Sequence, residues 1–306
     1  MTTTAILFPG QGAQSVGMGK SFAEADPAAR ALYDRAAQIL GYDLASISFD
    51  GPIEKLTVSA HAQPAIFVAS VAAWQAVKAK FPGLAPHALA GLSSGEWTAL
   101  HLAGVLSFDA TLKVLEARGR LMQEACEQRP GSMLSVLGAE DSQLQALCDA
   151  TGAEMANLNA REQTVLSGSR ESIDAAEIKA KELGIRKAIR LNVAGAFHSS
   201  LMKPAADRFA DFLASIDFAA PGLPVIANVT GQPHAADPAS IRDAMVQQVY
   251  RSVRWYQGIE WMAAQGVTTY LECGPGKVLS GLVKRIDKNA STHSIQELSQ
   301  LEALAI

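Results

Sequence analysis

The chain has 306 residues, 49% hydrophobic and 18% charged, enough to bury one large core or two smaller ones. A formal net charge of −4 leaves no basic excess to neutralise phosphates, so nucleic acid is not an expected partner. No run approaches the ~18 apolar residues that span a bilayer, and the first residues carry no basic leader, so neither a membrane segment nor a signal peptide is expected.

Residues 5–8 read as a first buried strand, followed by a loop rich in glycine and glutamine and a helix over about 22–40. An alanine-rich stretch over 63–81 carries apolar residues at helical spacing. A short apolar run at 87–90 then meets a helix over 94–102, and a longer helix covers about 108–126. Later strands are predicted at 224–229 and 267–271, the second ending in Gly274-Pro275-Gly276 before a final helix. Such alternation predicts an α/β fold whose mostly parallel sheet has helices on both faces.

The middle section has a different order. Strand 133–137, helix 139–148, strands 154–158 and 163–167, helix 170–183 and strand 187–191 give the βαββαβ sequence of a ferredoxin-like unit. It reads as a subdomain, 129–195, inserted into a larger domain made of 1–128 and 196–306. The cleft between the two is the natural place for a substrate.

Gly91-Leu92-Ser93-Ser94-Gly95 falls where a strand turns into a helix, the form of a nucleophile elbow. Side chains at 91 or 95 would collide where strand and helix nearly touch. The elbow exposes Ser93 and aims the backbone N–H of Ser94, at a helix N-terminus, towards any oxyanion beside it. Gln11, in Phe8-Pro9-Gly10-Gln11-Gly12-Ala13-Gln14, follows the first strand and could offer a second N–H. A phosphate-loop reading of this region fails, because Gln14 stands where that motif needs its first glycine before Gly19-Lys20-Ser21.

Spacing alone leaves the base for Ser93 open among six histidines. His198, in Gly195-Ala196-Phe197-His198-Ser199-Ser200, lies on the lip of the predicted cleft and is the candidate. His87 falls in the elbow strand and reads as buried or lining. His101 faces away from Ser93, and His61, His234 and His293 sit in polar surroundings and read as solvated. On the helix over 108–126, Leu112, Val114, Leu115, Leu121, Met122 and Cys126 share an apolar face, and Arg118 falls inside that arc. Either Arg118 snorkels or pairs with a structural carboxylate, or its planar fork awaits a carboxylate ligand in a partly dry pocket.

These segments, with Arg118-Gly119-Arg120-Leu121-Met122, Asn157-Leu158-Asn159, Asn228-Val229-Thr230-Gly231 and Glu272-Cys273-Gly274-Pro275-Gly276-Lys277, run in order along the chain. In that order they resemble the malonyl-CoA:acyl carrier protein transacylases of bacterial fatty-acid synthesis. The resemblance implies an α/β-hydrolase-like core with a ferredoxin-like insert. It makes Ser93 the acylated nucleophile, His198 its base, and the N–H groups of Gln11 and Ser94 the oxyanion hole. Gln248 would orient His198 through its backbone carbonyl.

Arg118, Phe197, Leu92, Met122 and Asn159 form the implied substrate-binding set. Arg118 would clamp the malonyl carboxylate, and a phenylalanine at 197 is typical of members that take malonyl over methylmalonyl units. Two positions depart from the pattern: Leu92 stands where the family usually has histidine, and Trp97 where tyrosine is common. The implied partners are malonyl-CoA and an acyl carrier protein. An acidic carrier calls for a basic patch, for which Lys284, Arg285, Arg186, Lys187 and Arg190 are candidates.

A monomer with no cofactor or metal is expected. Three widely spaced cysteines, Cys126, Cys148 and Cys273, suit a reducing cytoplasm. The competing readings are a serine esterase or thioesterase, a non-catalytic carrier-binding scaffold, and an acyltransferase serving malonate decarboxylation or polyketide loading.

Overall fold

The computed structural model describes residues 3–193 and 195–305. In chain order the first elements are β1 (Thr4–Phe8), α1 (Lys20–Ala25), α2 (Pro27–Leu40), α3 (Leu44–Phe49), α4 (Ile53–Thr57), α5 (Ser59–Lys80), β2 (Ala88–Gly91), α6 (Ser94–Leu102) and α7 (Phe108–Gln128). Then come β3 (Gly131–Leu137), α8 (Asp141–Thr151), β4 (Glu154–Ala160), β5 (Gln163–Ser169), α9 (Arg170–Glu182) and β6 (Lys187–Arg190). A short 3₁₀ turn (Ser200–Met202) leads to α10 (Lys203–Leu213), β7 (Val225–Ile226), α11 (Pro238–Gln248), α12 (Trp255–Ala264), β8 (Thr269–Cys273), α13 (Val278–Ile286), β9 (Ser291–Ile295) and α14 (Leu298–Ala303).

Five strands form a parallel sheet in the order β7-β2-β1-β8-β9. Strand β1 is buried throughout, because helices cover both faces of the sheet. Its side chains alternate between two cores: Ile6 and Phe8 join the one built on α5 and α7, Ala5 and Leu7 the one built on α12 and α13. The other four strands, all from residues 131–190, form an antiparallel sheet in the order β4-β5-β3-β6. Leu134, Val136 and Leu166 on one face of it pack against Leu144, Leu147 and Ile173 of α8 and α9. Met133 and Val165 on the other face look across a cleft, with Phe197 packed against them. The two sheets are tied where Val253 donates to the carbonyl of Ala156 and accepts from the N–H of Leu158.

Four expectations are corrected. The helix predicted over 22–40 is two helices, broken where extended Asp26 caps α2 through the Ala28 N–H and Pro27 supplies the first turn. The strand at 224–229 shrinks to two residues, because Thr230 and Gly231 turn back to donate to the carbonyl of Ala227. The helix after Gly276 is not the last element, since β9 and α14 follow it. His87 precedes β2 and is exposed, neither buried nor lining. No helix among the described residues is long and apolar enough to cross a membrane.

Candidate active site

The turn between β2 and α6 is tight enough to dictate its glycines. A Cβ on Gly91 would lie 2.0 Å from the carbonyl carbon of Gly95, and one on Gly95 would lie 2.2 Å from the carbonyl oxygen of Phe8. Ser93 sits at φ 53, a left-handed conformation that costs a non-glycine residue about 1–3 kcal/mol. Asn228 holds it there: its Oδ1 accepts the Ser93 N–H at 2.7 Å and its Nδ2 donates to the carbonyl of Gly91 at 2.7 Å.

His198 meets Ser93 from the segment that returns from the antiparallel unit. Its Nε2 is 2.8 Å from Ser93 Oγ, and its Nδ1 donates to the backbone carbonyl of Gln248 at 2.8 Å. Gln248 ends α11, so its carbonyl has no partner within the helix and is free to accept. An acceptor at Nδ1 fixes the proton there and leaves the Nε2 lone pair facing the serine hydroxyl. His198, like Ser93, has positive φ (56), and no other non-glycine residue does so among the described residues. Burial, reinforced by the charge of Arg118, pulls the imidazole down to about 4, so it is neutral at pH 7.

Arg118 projects from α7 with 1% of its surface exposed. Its Nη1 donates to Gln63 Oε1 at 2.9 Å, and its Nη2 donates to Gln248 Oε1 at 2.9 Å and Ser93 Oγ at 3.1 Å. These partners are neutral amides and a hydroxyl, not the structural carboxylate that one reading of the sequence allowed. Burial lowers the guanidinium to about 10, opposed by the charge of Glu96, and it stays protonated at neutral pH. A buried cation with only neutral hydrogen-bond partners is poised to take an anion.

Of the two N–H groups expected to face an oxyanion, only that of Gln11 has a partner among the described residues. Ser94 N–H lies in the first turn of α6, where N–H groups lack intrahelical partners. The Gln11 N–H donates to Ser94 Oγ at 3.1 Å, and the Gln11 side chain is anchored by Ser59 and Gln63. A cavity of about 460 Å³ opens onto the pair; Leu92, Met122, Asn159 and Phe197 line it with Ser93, Arg118 and His198. Asn159 Oδ1 is buried there without a partner. Trp97 lies away from this lining, wholly buried against Phe209.

Four functional neighbours escaped the reading of the sequence. Gln63 joins Gln11 to Arg118, and Asn228, which opens a quoted motif, and Glu96, which directly follows the elbow's Gly95, had no assigned part. His234 is not solvated: its side chain is 2% exposed and its Nε2 donates to Glu96 Oε1 at 2.7 Å. Its loop is polar, but the His234 N–H bonds to the carbonyl of Val225 and turns the ring inward. The signals available were a glutamine inside an alanine-rich buried helix and a glutamate inside the elbow helix.

A serine at a strained elbow, a neutral histidine at its hydroxyl and a buried guanidinium beside it are groups suited to acyl transfer, and the protein is an acyltransferase. The comparisons agree. Residues 6–300 match the acyl transferase domain family. The chain is 40% identical to the malonyl CoA-acyl carrier protein transacylase of Bacillus subtilis, over 99% of this chain and 96% of that protein. It is equally similar to the Salmonella typhimurium protein of the same name, over 99% of each. An acyl carrier protein S-malonyltransferase from Vibrio cholerae has the same fold at a TM-score of 0.94 and 40% identity, covering 99% of this chain and 100% of that one. A malonyl-transacylase solved in complex with a type II PKS acyl-carrier protein matches at 0.94 and 37%, covering 99% and 98%. The chain belongs to the malonyl CoA-acyl carrier protein transacylase family.

Proposed function

We propose that this protein moves the malonyl group from malonyl-CoA to the phosphopantetheine thiol of an acyl carrier protein, through an ester on Ser93. The observation that carries this reading is the placement of Ser93 Oγ, 2.8 Å from His198 Nε2 and 3.1 Å from Arg118 Nη2. A short acyl group bonded to that oxygen puts a carboxylate two carbons further on within reach of the same guanidinium. Both nitrogens of the fork can then be used at once.

In the first half-reaction Ser93 Oγ attacks the thioester carbonyl while His198 Nε2 takes its proton. The oxyanion is held by the N–H of Ser94 and by that of Gln11, which turns from Ser94 Oγ to the new oxygen. Each such donor contributes about 2.7–4 kcal/mol in comparable sites. The C–S bond then breaks, and the proton on His198 leaves with coenzyme A. In the second half-reaction the carrier thiol gives its proton to His198 and attacks the malonyl ester, and Ser93 recovers its proton. The carbonyl of Gln248 orients the imidazole throughout, so no triad carboxylate is needed. Leu92, Met122, Asn159 and Phe197 shape the acyl and pantetheine path, and Phe197 crowds the position that a branched methyl group would take.

In the same reading the parallel-sheet unit, 1–128 with 196–306, is an α/β-hydrolase-like core. The elbow between β2 and α6 supports this. Residues 129–195 are a ferredoxin-like insert, supported by the βαββαβ order and the strand order β4-β5-β3-β6. The carrier docks where insert and core meet. Arg186 and Lys187 line one hollow of about 770 Å³ together with Lys284, Arg285 and Lys288. Arg190 does not join them, because Asp174 and Glu177 hold its guanidinium. The setting is the cytoplasm, where three free cysteines stay reduced.

Intact-mass measurement after brief incubation with malonyl-CoA, followed by peptide mapping, tests the reading. A malonyl adduct on Ser93 that disappears faster with holo carrier protein than in buffer supports it. Equal loss in both makes the protein a thioesterase, and no adduct removes the covalent mechanism.

A further inference from the structure

Behind the nucleophile lies a buried polar group that takes no part in the steps above. Glu96, on α6, is 1% exposed. Its Oε1 accepts from His234 Nε2 at 2.7 Å, and its Oε2 accepts from Gln248 Nε2 at 2.6 Å and from the Asn228 N–H at 3.2 Å. The Gln248 amide therefore stands between two groups of opposite charge, with its oxygen on Arg118 Nη2 and its nitrogen donating both to Glu96 Oε2 and, at 2.8 Å, to the main-chain carbonyl of Ser93. Turned over, it would set N–H₂ against the guanidinium and oxygen against the carboxylate and the Ser93 carbonyl, and lose all three bonds. Glu96 is the charged one of the two acceptors, with the Ser93 carbonyl, that keep the amide oxygen turned towards Arg118. The charge of Glu96 also reaches Arg118 directly, opposing the effect of burial on the guanidinium.

We propose that Glu96 is a positioning residue for Arg118, acting through the Gln248 amide with His234 locking the carboxylate, and that it sets the preference for acyl groups ending in a carboxylate. This rests on the malonyl reading of the site and deepens it. The preference then resides in a chain of three side chains, Glu96, Gln248 and Arg118, of which only the last meets the acyl group. A purely structural strut is the competing account, since Glu96 also holds Asn228, which in turn holds the Ser93 N–H. The two accounts diverge on substrate. A weakened strut slows acylation of Ser93 by every acyl-CoA, whereas a mispositioned Arg118 slows only an acyl group with a carboxylate to be gripped.

The test measures rapid-quench acylation of Ser93 by malonyl-CoA and by acetyl-CoA. Wild-type protein comes first: if it forms no malonyl-Ser93, the underlying reading fails, independently of Glu96. In Glu96→Gln, which keeps size and removes charge, kcat/KM for malonyl-CoA should fall by about tenfold or more, the scale of one charge-assisted hydrogen bond. Acetylation should change by less than about twofold on the same scale. His234→Ala should shift the ratio in the same direction by about threefold, and His234→Gln, which restores an N–H donor, should recover most of it. Parallel losses with both substrates, or an unchanged ratio, overturn the proposal. Should Glu96→Gln not fold, an unchanged ratio in His234→Ala does the same.

Discussion

The main-chain carbonyl of Gln248 accepts the Nδ1 proton of His198 at 2.8 Å, so in the proposed mechanism the end of a helix stands where a catalytic triad has its buried carboxylate. A neutral acceptor lends the imidazole less stabilisation as a cation than a carboxylate would. Burial and Arg118 then depress its pKa to about 4.

A pH–rate profile should show the consequence. The folded-state pKa lies below the ordinary value of about 6.5, so His198 is unprotonated through the neutral range. Malonylation of Ser93 by the free enzyme should be flat from about pH 5.5 to 8 and fall as pH drops through about 4. In Arg118→Ala the residual acid limb should move upward, because one of the two depressing causes is gone.

Stability carries the same signature. Between about pH 4 and 6.5 the unfolded chain binds more protons at this histidine than the folded chain does, so stability rises with pH across that window and is lost on acidification. Urea midpoints measured across the window should show a shallower slope in His198→Gln. An unchanged slope would assign the effect to other groups.

Arg118→Ala should lower kcat/KM for malonyl-CoA by about two orders of magnitude, since charge-assisted hydrogen bonds contribute roughly 1.5–3 kcal/mol each. Acetyl transfer should be spared or improved. Arg118→Lys should restore only part of the loss, because an ammonium cannot form two parallel bonds with a carboxylate. Equal losses for both acyl groups would remove the clamp.

Charge reversal at Arg186 or Lys187 should raise KM for the carrier protein several-fold at low salt and leave acylation by malonyl-CoA unchanged. Arg190→Glu is the contrasting variant. Its guanidinium is already held by Asp174 and Glu177, so its effect on carrier KM should be small.

The elbow predicts its own fragility. Gly95→Ala places a methyl 2.2 Å from the carbonyl oxygen of Phe8, so α6 must move away from β1. A large drop in melting temperature, or insoluble protein, is expected.

What could be read from the chain was what short-range pattern encodes. The elbow needs two glycines around a serine, Arg118 interrupts an apolar arc, and the βαββαβ order follows from local periodicity. Long-range contacts were harder to read. His234 sits among polar neighbours, and only its bond to Val225 and its meeting with Glu96 bury it. Strand β9, Ser-Thr-His-Ser-Ile, has little apolar alternation and owes its existence to pairing with β8. The helix start at Pro27 was visible in principle, but a 3.6-residue period running through Asp26 concealed it.

Ser93 and His198 share one further property, a backbone twist that an achiral residue would adopt without penalty. A selection for heat resistance alone would be drawn to glycine at 93 and 198 and, on the proposed mechanism, would return a sturdier protein unable to turn over. On the proposed mechanism, part of this fold's marginal stability is surrendered at the two residues between which the acyl group changes hands.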